Sequence, residues 1–160
     1  MAVDMFLKLD GIKGESKDAK HKEEIHIESF SWGLSQQGTF SSAGGGGAGK
    51  VQSTDLTVMK VLDKSTPLLM QHICGGKHIK DGLLTVRKAG DKPLEYLKIK
   101  LTDILVSSIQ HSAGGGSELT MESLSLNFAK FELAYVEQKP DGSGEPPVPA
   151  GWDLKKNEKV

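Results

Sequence analysis

Residues 41–52 read SSAGGGGAGKVQ, in which Gly44, Gly49 and Lys50 have the spacing G-x-x-x-x-G-K. Gly44, Gly46 and Gly49 also fit G-x-G-x-x-G. Glycines at such intervals let backbone amides close round a phosphate while a lysine neutralises its charge. A working cradle also needs an apolar strand leading in, a hydroxyl after the lysine for magnesium, and a helix leading out. Here the approach, QQGTFSS, is polar, Val51 follows Lys50, and residues 55–62 have the β-branched, period-two character of a strand. The dinucleotide pattern lacks the same helix. The glycines fit better in a long extended loop, residues 36–52, between two strands.

Other reactive side chains are similarly isolated. His72, Cys74 and His78 could ligate a metal, but zinc sites present four ligands at tighter spacing, and Gly75 and Gly76 intervene with no second Cys/His pair elsewhere. Cys74 lacks the flanking residues of a nucleophile and reads as a small buried hydrophobe on a helix face. Glu23, Glu24 and Glu28 surround Ile25 and His26 in the manner of a solvated strand face or edge. No catalytic, cofactor-binding or metal-ligating residue is expected, and the chain reads as a non-enzyme.

Composition narrows the partners. The 160 residues carry a formal net charge of -1 with 26% charged residues, and lysines are interleaved with acids. That balance gives nucleic acid no basic surface to grip, and aromatics make up only 6%, too few for a stacking platform. The opening MAVDMFLKLD alternates apolar and charged residues, so it is not the apolar core of a secretory signal, and no later run is long enough to cross a bilayer. The expectation is synthesis in the cytoplasm, without direct membrane insertion. One cysteine excludes an internal disulfide framework.

The elements that carry these residues are mainly strands. Val3, Met5, Leu7 and Leu9 alternate with polar neighbours; Ile25 and Ile27 do likewise, and then the apolar set slips phase to Phe30, Trp32 and Leu34, as at a bulge or corner. Leu56, Val58 and Leu62 share one strand face. Residues 83–88 and 94–106 read as two strands joined by the turn AGDKP, and a glycine turn at 112–117 precedes a strand over 119–136. Residues 140–150 hold four of the six prolines and form a connector to a last short strand at 151–154. Only residues 67–74 read as helix, with Ser65 or Thr66 at the N-cap, Pro67 in the first turn, and Gly75 and Gly76 closing the end. The expected fold is one domain over 1–160, mainly β: a small antiparallel β-barrel of two sheets with one short α-helix and a long extended loop. Strands with apolar residues on both faces imply cover by other chains.

The phrases MAVDMFLKLDGIKGESKD, SFSWGLSQ, GGGGAGKV, LDKSTP, GGKHI, LTVRKAGDKPLEYLKIKL and SLNFAKFELAY, with Gly151 and Trp152 near the end, closely resemble the Hcp family of bacterial type VI secretion, the haemolysin-coregulated proteins. The resemblance implies a β-barrel that assembles into hexameric rings, stacked into the inner tube of a contractile machine. It implies partners in other copies of the chain, a spike protein, sheath proteins and effectors held in the ring lumen. It also implies a route to the extracellular space or a target cell that needs no signal peptide. Edge strands hazardous in a monomer would be paired between protomers. Some members carry a further effector domain, for which the 160 residues leave no expected room.

Carried over by matching phrases, the extended loop is expected to make ring-ring or protomer contacts through Gly38, Thr39, Phe40, Gly44, Gly45, Gly46, Gly47, Gly49 and Lys50. Small or polar positions of an inner sheet should line the lumen, with Ser31, Ser107, His111 and Ser112 as the candidates. The alternative left by the residues alone is a ligand- or nucleotide-binding β-barrel that grips a phosphate with residues 44–50. A free single-strand nucleic-acid binder is a weaker one.

Overall fold

A computed structural model describes residues 2–38 and 49–160. In chain order its elements are β1 (Val3–Leu9), β2 (Ile25–Ile27), β3 (Ser29–Ser31), β4 (Leu34–Ser35), β5 (Gln52–Ser53), β6 (Leu56–Val61), α1 (Thr66–Gly75), β7 (Ile79–Lys88), β8 (Leu94–Ser112), β9 (Met121–Tyr135), β10 (Val148–Asp153) and β11 (Glu158–Lys159).

All ladders are antiparallel. One large sheet runs β11-β10-β9-β8-β7-β1-β2, with β6 also paired to β9, and β3 to β6; β4 and β5 make a separate ribbon. The fold is therefore mainly β, as the alternation predicts. The expected barrel of two sheets is replaced by one sheet bent over on itself, not a closed barrel of continuous ladders. Its fold-over is the phase slip read in the sequence. Ile25 and Ile27 pair with β1, whereas Ser29, Phe30 and Ser31 pair with β6, and between them the Glu28 amide donates to the Met59 carbonyl. The apolar set changes parity where the strand changes partner.

The bend encloses the core. Leu7, Ile25, Leu56, Val58, Leu84, Ile104, Leu124 and Leu126 are wholly buried, closed off by Phe128 and Phe131. Trp32 packs edge-on against both phenylalanines, at 6.2 and 4.9 Å between centroids. The helix lies against β8 and inserts fully buried Leu69. It ends at Gly76, whose φ of 63° is the left-handed conformation glycine adopts without a Cβ penalty. Ser65 makes no side-chain cap; its hydroxyl donates to Asp63 instead.

Three local expectations change. Cys74 is exposed, not buried, because Leu69 occupies the face turned to the sheet. Glu24 is not on a solvated edge: its carboxylate is 13% exposed and bonded to His21. Strand β8 runs six residues past Val106 to Ser112, since Ser108 to Ser112 continue to pair with β9 although their outward side chains are polar.

Candidate functional site

Strand register alone builds an unusual surface on the outer side of β3, β6, β9 and β8. Opposed residues in antiparallel strands point the same way. Ser31 faces Thr57, Thr57 faces Ser125, and Ser125 faces Ser108, which sets four hydroxyl side chains in one row. The next row is Ser29, Met59, Ser123 and Gln110, and beyond it Val61, Met121 and Ser112. Thr57 Oγ1 and Ser125 Oγ are hydrogen-bonded at 3.0 Å. The register slips between Val106 and Ser108, leaving Ser107 as the extra residue of a bulge. Its Oγ lies 2.5 Å from Asp55 Oδ2 and 3.1 Å from the Ser125 carbonyl, and Asn127 Nδ2 donates to Asp55 Oδ1 at 2.9 Å. Both oxygens of this carboxylate are thus engaged from within the face. Across the three rows there is no other ionisable side chain.

Of the four lumen candidates, Ser31, Ser107 and Ser112 come together here. His111 does not: it pairs with Glu122, on the other side of β9 from Ser123 and Ser125, and its Nε2 sits 2.8 Å from Glu122 Oε1. Of the contact-loop candidates, Gly38, Gly49 and Lys50 are exposed at the root of the loop. Thr39, Phe40, Gly44, Gly45, Gly46 and Gly47 lie outside the described residues. The β4-β5 ribbon fixes that root. Trp32 Nε1 donates to Ser53 Oγ at 2.9 Å, and the Gly33 amide to Thr54 Oγ1 at 2.9 Å. A groove of about 610 Å³ separates the ribbon from β10, lined by Leu34, Val51, Phe131 and Trp152. After Lys50 the chain enters β5 and β6, and α1 begins only at Thr66, so no helix N-terminus follows the glycines to hold a phosphate.

Two buried polar clusters escaped the sequence reading. Lys60 occupies a core position of β6 with its side chain wholly buried; Nζ lies 2.6 Å from Glu122 Oε2 and 3.0 Å from Asp63 Oδ1, and donates to Thr66 Oγ1 at 3.3 Å. Glu122 is also fully buried, so His111, Glu122, Lys60 and Asp63 form a chain of charged and polar groups from the surface to the start of α1.

The second cluster lies on the far side of the sheet, under residues 13–24. This stretch is held flat by backbone pairs between Gly14 and Glu23, and between Ser16 and Glu24. Arg87 donates to both Asp18 oxygens, at 3.0 and 2.8 Å, and to Asp4 at 3.0 Å, while its Cζ lies 5.1 Å from the centre of the Phe6 ring. His21 stacks on Phe6 with centroids 4.4 Å apart and planes 9° from parallel. Its Nδ1 is 2.9 Å from Glu24 Oε2 and its Nε2 2.6 Å from Glu95 Oε1. The hydrogen bonds from Arg87 hold the Asp18 carboxyl far below the usual carboxylate range. Burial pushes Glu95 up, but hydrogen bonds from His21 and Lys98 outweigh it and leave the group below its ordinary value.

The isolated reactive residues stay apart. His72 Nδ1 bonds its own helix at the Leu68 carbonyl, His78 bonds Asp103 at 2.8 Å, and Cys74 is exposed. Among the described residues no group of three His, Cys, Asp or Glu side chains could hold a metal, and no helix is long and apolar enough to cross a membrane.

Residues 6–135 match the family model described as type VI secretion system effector, Hcp. Protein hcp1 of Pseudomonas aeruginosa is 48% identical over 159 residues, 98% of each chain. Hcp1 from Salmonella typhimurium superposes with a TM-score of 0.83 at 37% identity, over the full length of both chains. A structure described as a type six secretion system protein gives 0.93 at 33% identity, covering 99% of this chain and 100% of its own.

Proposed function

The chain belongs to the Hcp family of type VI secretion proteins, and from that premise we propose that it is a non-catalytic tube subunit: six copies close into a ring, rings stack, and the lumen carries effectors. The observation that best supports this reading is the hydroxyl-lined face of β3, β6, β9 and β8. In a chain with 26% charged residues, three rows across four strands carry no ionisable side chain, and the Asp55 carboxylate beside them is engaged by Ser107 and Asn127. A lumen wall has to hydrate and admit cargo of varied charge without ionic trapping, and neutral hydroxyls do both. Ser31, Ser107 and Ser112 belong to this wall; His111 anchors the strand behind it.

The partners follow from the assembly: further copies of the chain, the spike at the tube tip, the surrounding sheath, and cargo. Export through that apparatus takes the protein outside the cell. The loop root at Gly38, Gly49 and Lys50, with Thr39, Phe40 and Gly44 to Gly47 beyond it, is the proposed contact between rings or protomers.

Native mass spectrometry and negative-stain microscopy of the purified chain test the reading; six-membered rings are expected, and a monomer at micromolar concentration overturns it. Deleting residues 44–49 should reduce ring stacking and leave the fold intact, because shortening a loop changes its closure entropy little. The phosphate-gripping alternative requires saturable, magnesium-dependent binding of ATP.

A further inference from the structure

We propose that residues 13–24 form a strap whose closure over the sheet requires His21 to carry both ring protons. A neutral imidazole has one donor and one acceptor nitrogen, whereas both His21 nitrogens face carboxylate oxygens, Glu24 at 2.9 Å and Glu95 at 2.6 Å. Only the imidazolium donates to both. Loss of one proton turns a lone pair toward a carboxylate and breaks one of the two contacts. The contact to Glu95 is the one that ties the strap to β8; Glu24 lies within the strap itself.

The groups around the ring come from separate strands. From β1, Phe6 stacks on it, and His26 of β2 meets Phe6 edge-on at 6.0 Å. From β8 come Glu95 and, bonded to it at 3.2 Å, Lys98; from β7 comes Arg87, already engaged by Asp18 and Asp4. Two carboxylates are in direct contact with the ring, and the two cations nearby are each already paired with a carboxylate of their own.

Thr85, opposite Phe6, and Arg87, bonded to Asp18, each bury an atom, Thr85 Oγ1 and Arg87 Nε, that has no hydrogen-bond partner among the described residues. Water reaching them on opening is favourable. The strap is thus held by ionic contacts and opposed by orphaned polar atoms, a balance that one proton can tip. Closure is favoured while His21 is protonated and weakens as pH rises through its titration. Asp18, doubly bonded to Arg87, stays attached and acts as the hinge.

The test is amide hydrogen exchange on the full chain across about pH 5 to 8, corrected for intrinsic rates, with the His21 ring followed by NMR. The expected result is protection of residues 15–24 that falls by up to about tenfold per pH unit as the ring deprotonates, while the core does not change. In His21→Gln that dependence should vanish; should this variant not fold, Glu95→Gln serves the same purpose. Constant protection in the wild type, a ring neutral throughout the range, or an unchanged pH dependence in the variant overturns the proposal.

Discussion

Lys60 Nζ and Glu122 Oε2 lie 2.6 Å apart, and neither side chain is reached by solvent. A buried pair of this kind is costly to break and often cheap to replace whole. Glu122→Leu leaves a buried ammonium with only Asp63, at the edge of water, as its counter-charge, and is expected to lower stability by about 3–5 kcal/mol. The joint variant Lys60→Met with Glu122→Leu should cost much less than the two single changes summed. Urea unfolding of the four proteins measures the coupling; simple additivity would show that the two charges do not act as a pair.

The Asp18 carboxyl, held low by Arg87, contributes stability that is fully present above the ordinary carboxylate range and is lost as pH falls through its folded-state value. Asp18→Asn should therefore be less stable than the parent at neutral pH, and its stability should fall less steeply below about pH 4. Thermal unfolding followed from neutral to acid pH reads both effects.

Gly14 and Gly82 are both crowded, but by different atoms. A Cβ on Gly14 would lie 2.6 Å from the Glu24 carbonyl oxygen and 2.7 Å from Ile25 Cα, both backbone. On Gly82 it would meet the tips of Ile104 at 2.8 Å and Leu9 at 3.0 Å, which can turn aside. Gly14→Ala is expected to cost about 1–3 kcal/mol, as overpacking against rigid neighbours does, and Gly82→Ala less. Equal losses in Tm would contradict this ranking.

Ser31 is exposed at the end of the hydroxyl row. Ser31→Arg should leave stability within about 0.5 kcal/mol of the parent, as surface substitutions usually do. Rings should persist in native mass spectrometry while co-purifying cargo declines. Loss of the rings would instead put Ser31 at a contact between protomers.

Much of the strand pattern was legible because alternation is a local signal. The slip from Ile27 to Phe30 even marked the corner where the chain leaves β1 for β6. Lys60 was not legible: it interrupts the run Leu56, Val58 with a charge, and the carboxylate that makes its burial tolerable comes from β9. His21 was silent for the same reason, since Glu95 and Phe6 reach it from separate strands. Cys74 was misplaced because a short helix with apolar residues around much of its girth does not declare which side meets the sheet. Ser31, Ser107 and Ser112 share one face through strand register, which periodicity alone does not carry; His111 lies on the other face because the bulge at Ser107 reverses the parity of every residue after it.

The two longest strands, β8 and β9, are hydrogen-bonded over most of their length, from the Leu97 and Tyr135 pair to the Ser112 and Met121 pair. At about 3.3 Å per residue this ladder makes a beam on the order of 50 Å long. The ionic strap is attached at one end and the Lys60 cluster at the other. A force along the strands loads all these bonds in shear, so they must fail together, whereas a force at one end would peel them singly. In the tube subunit proposed above, the mechanical strength of the beam along its own axis would matter more than its equilibrium stability.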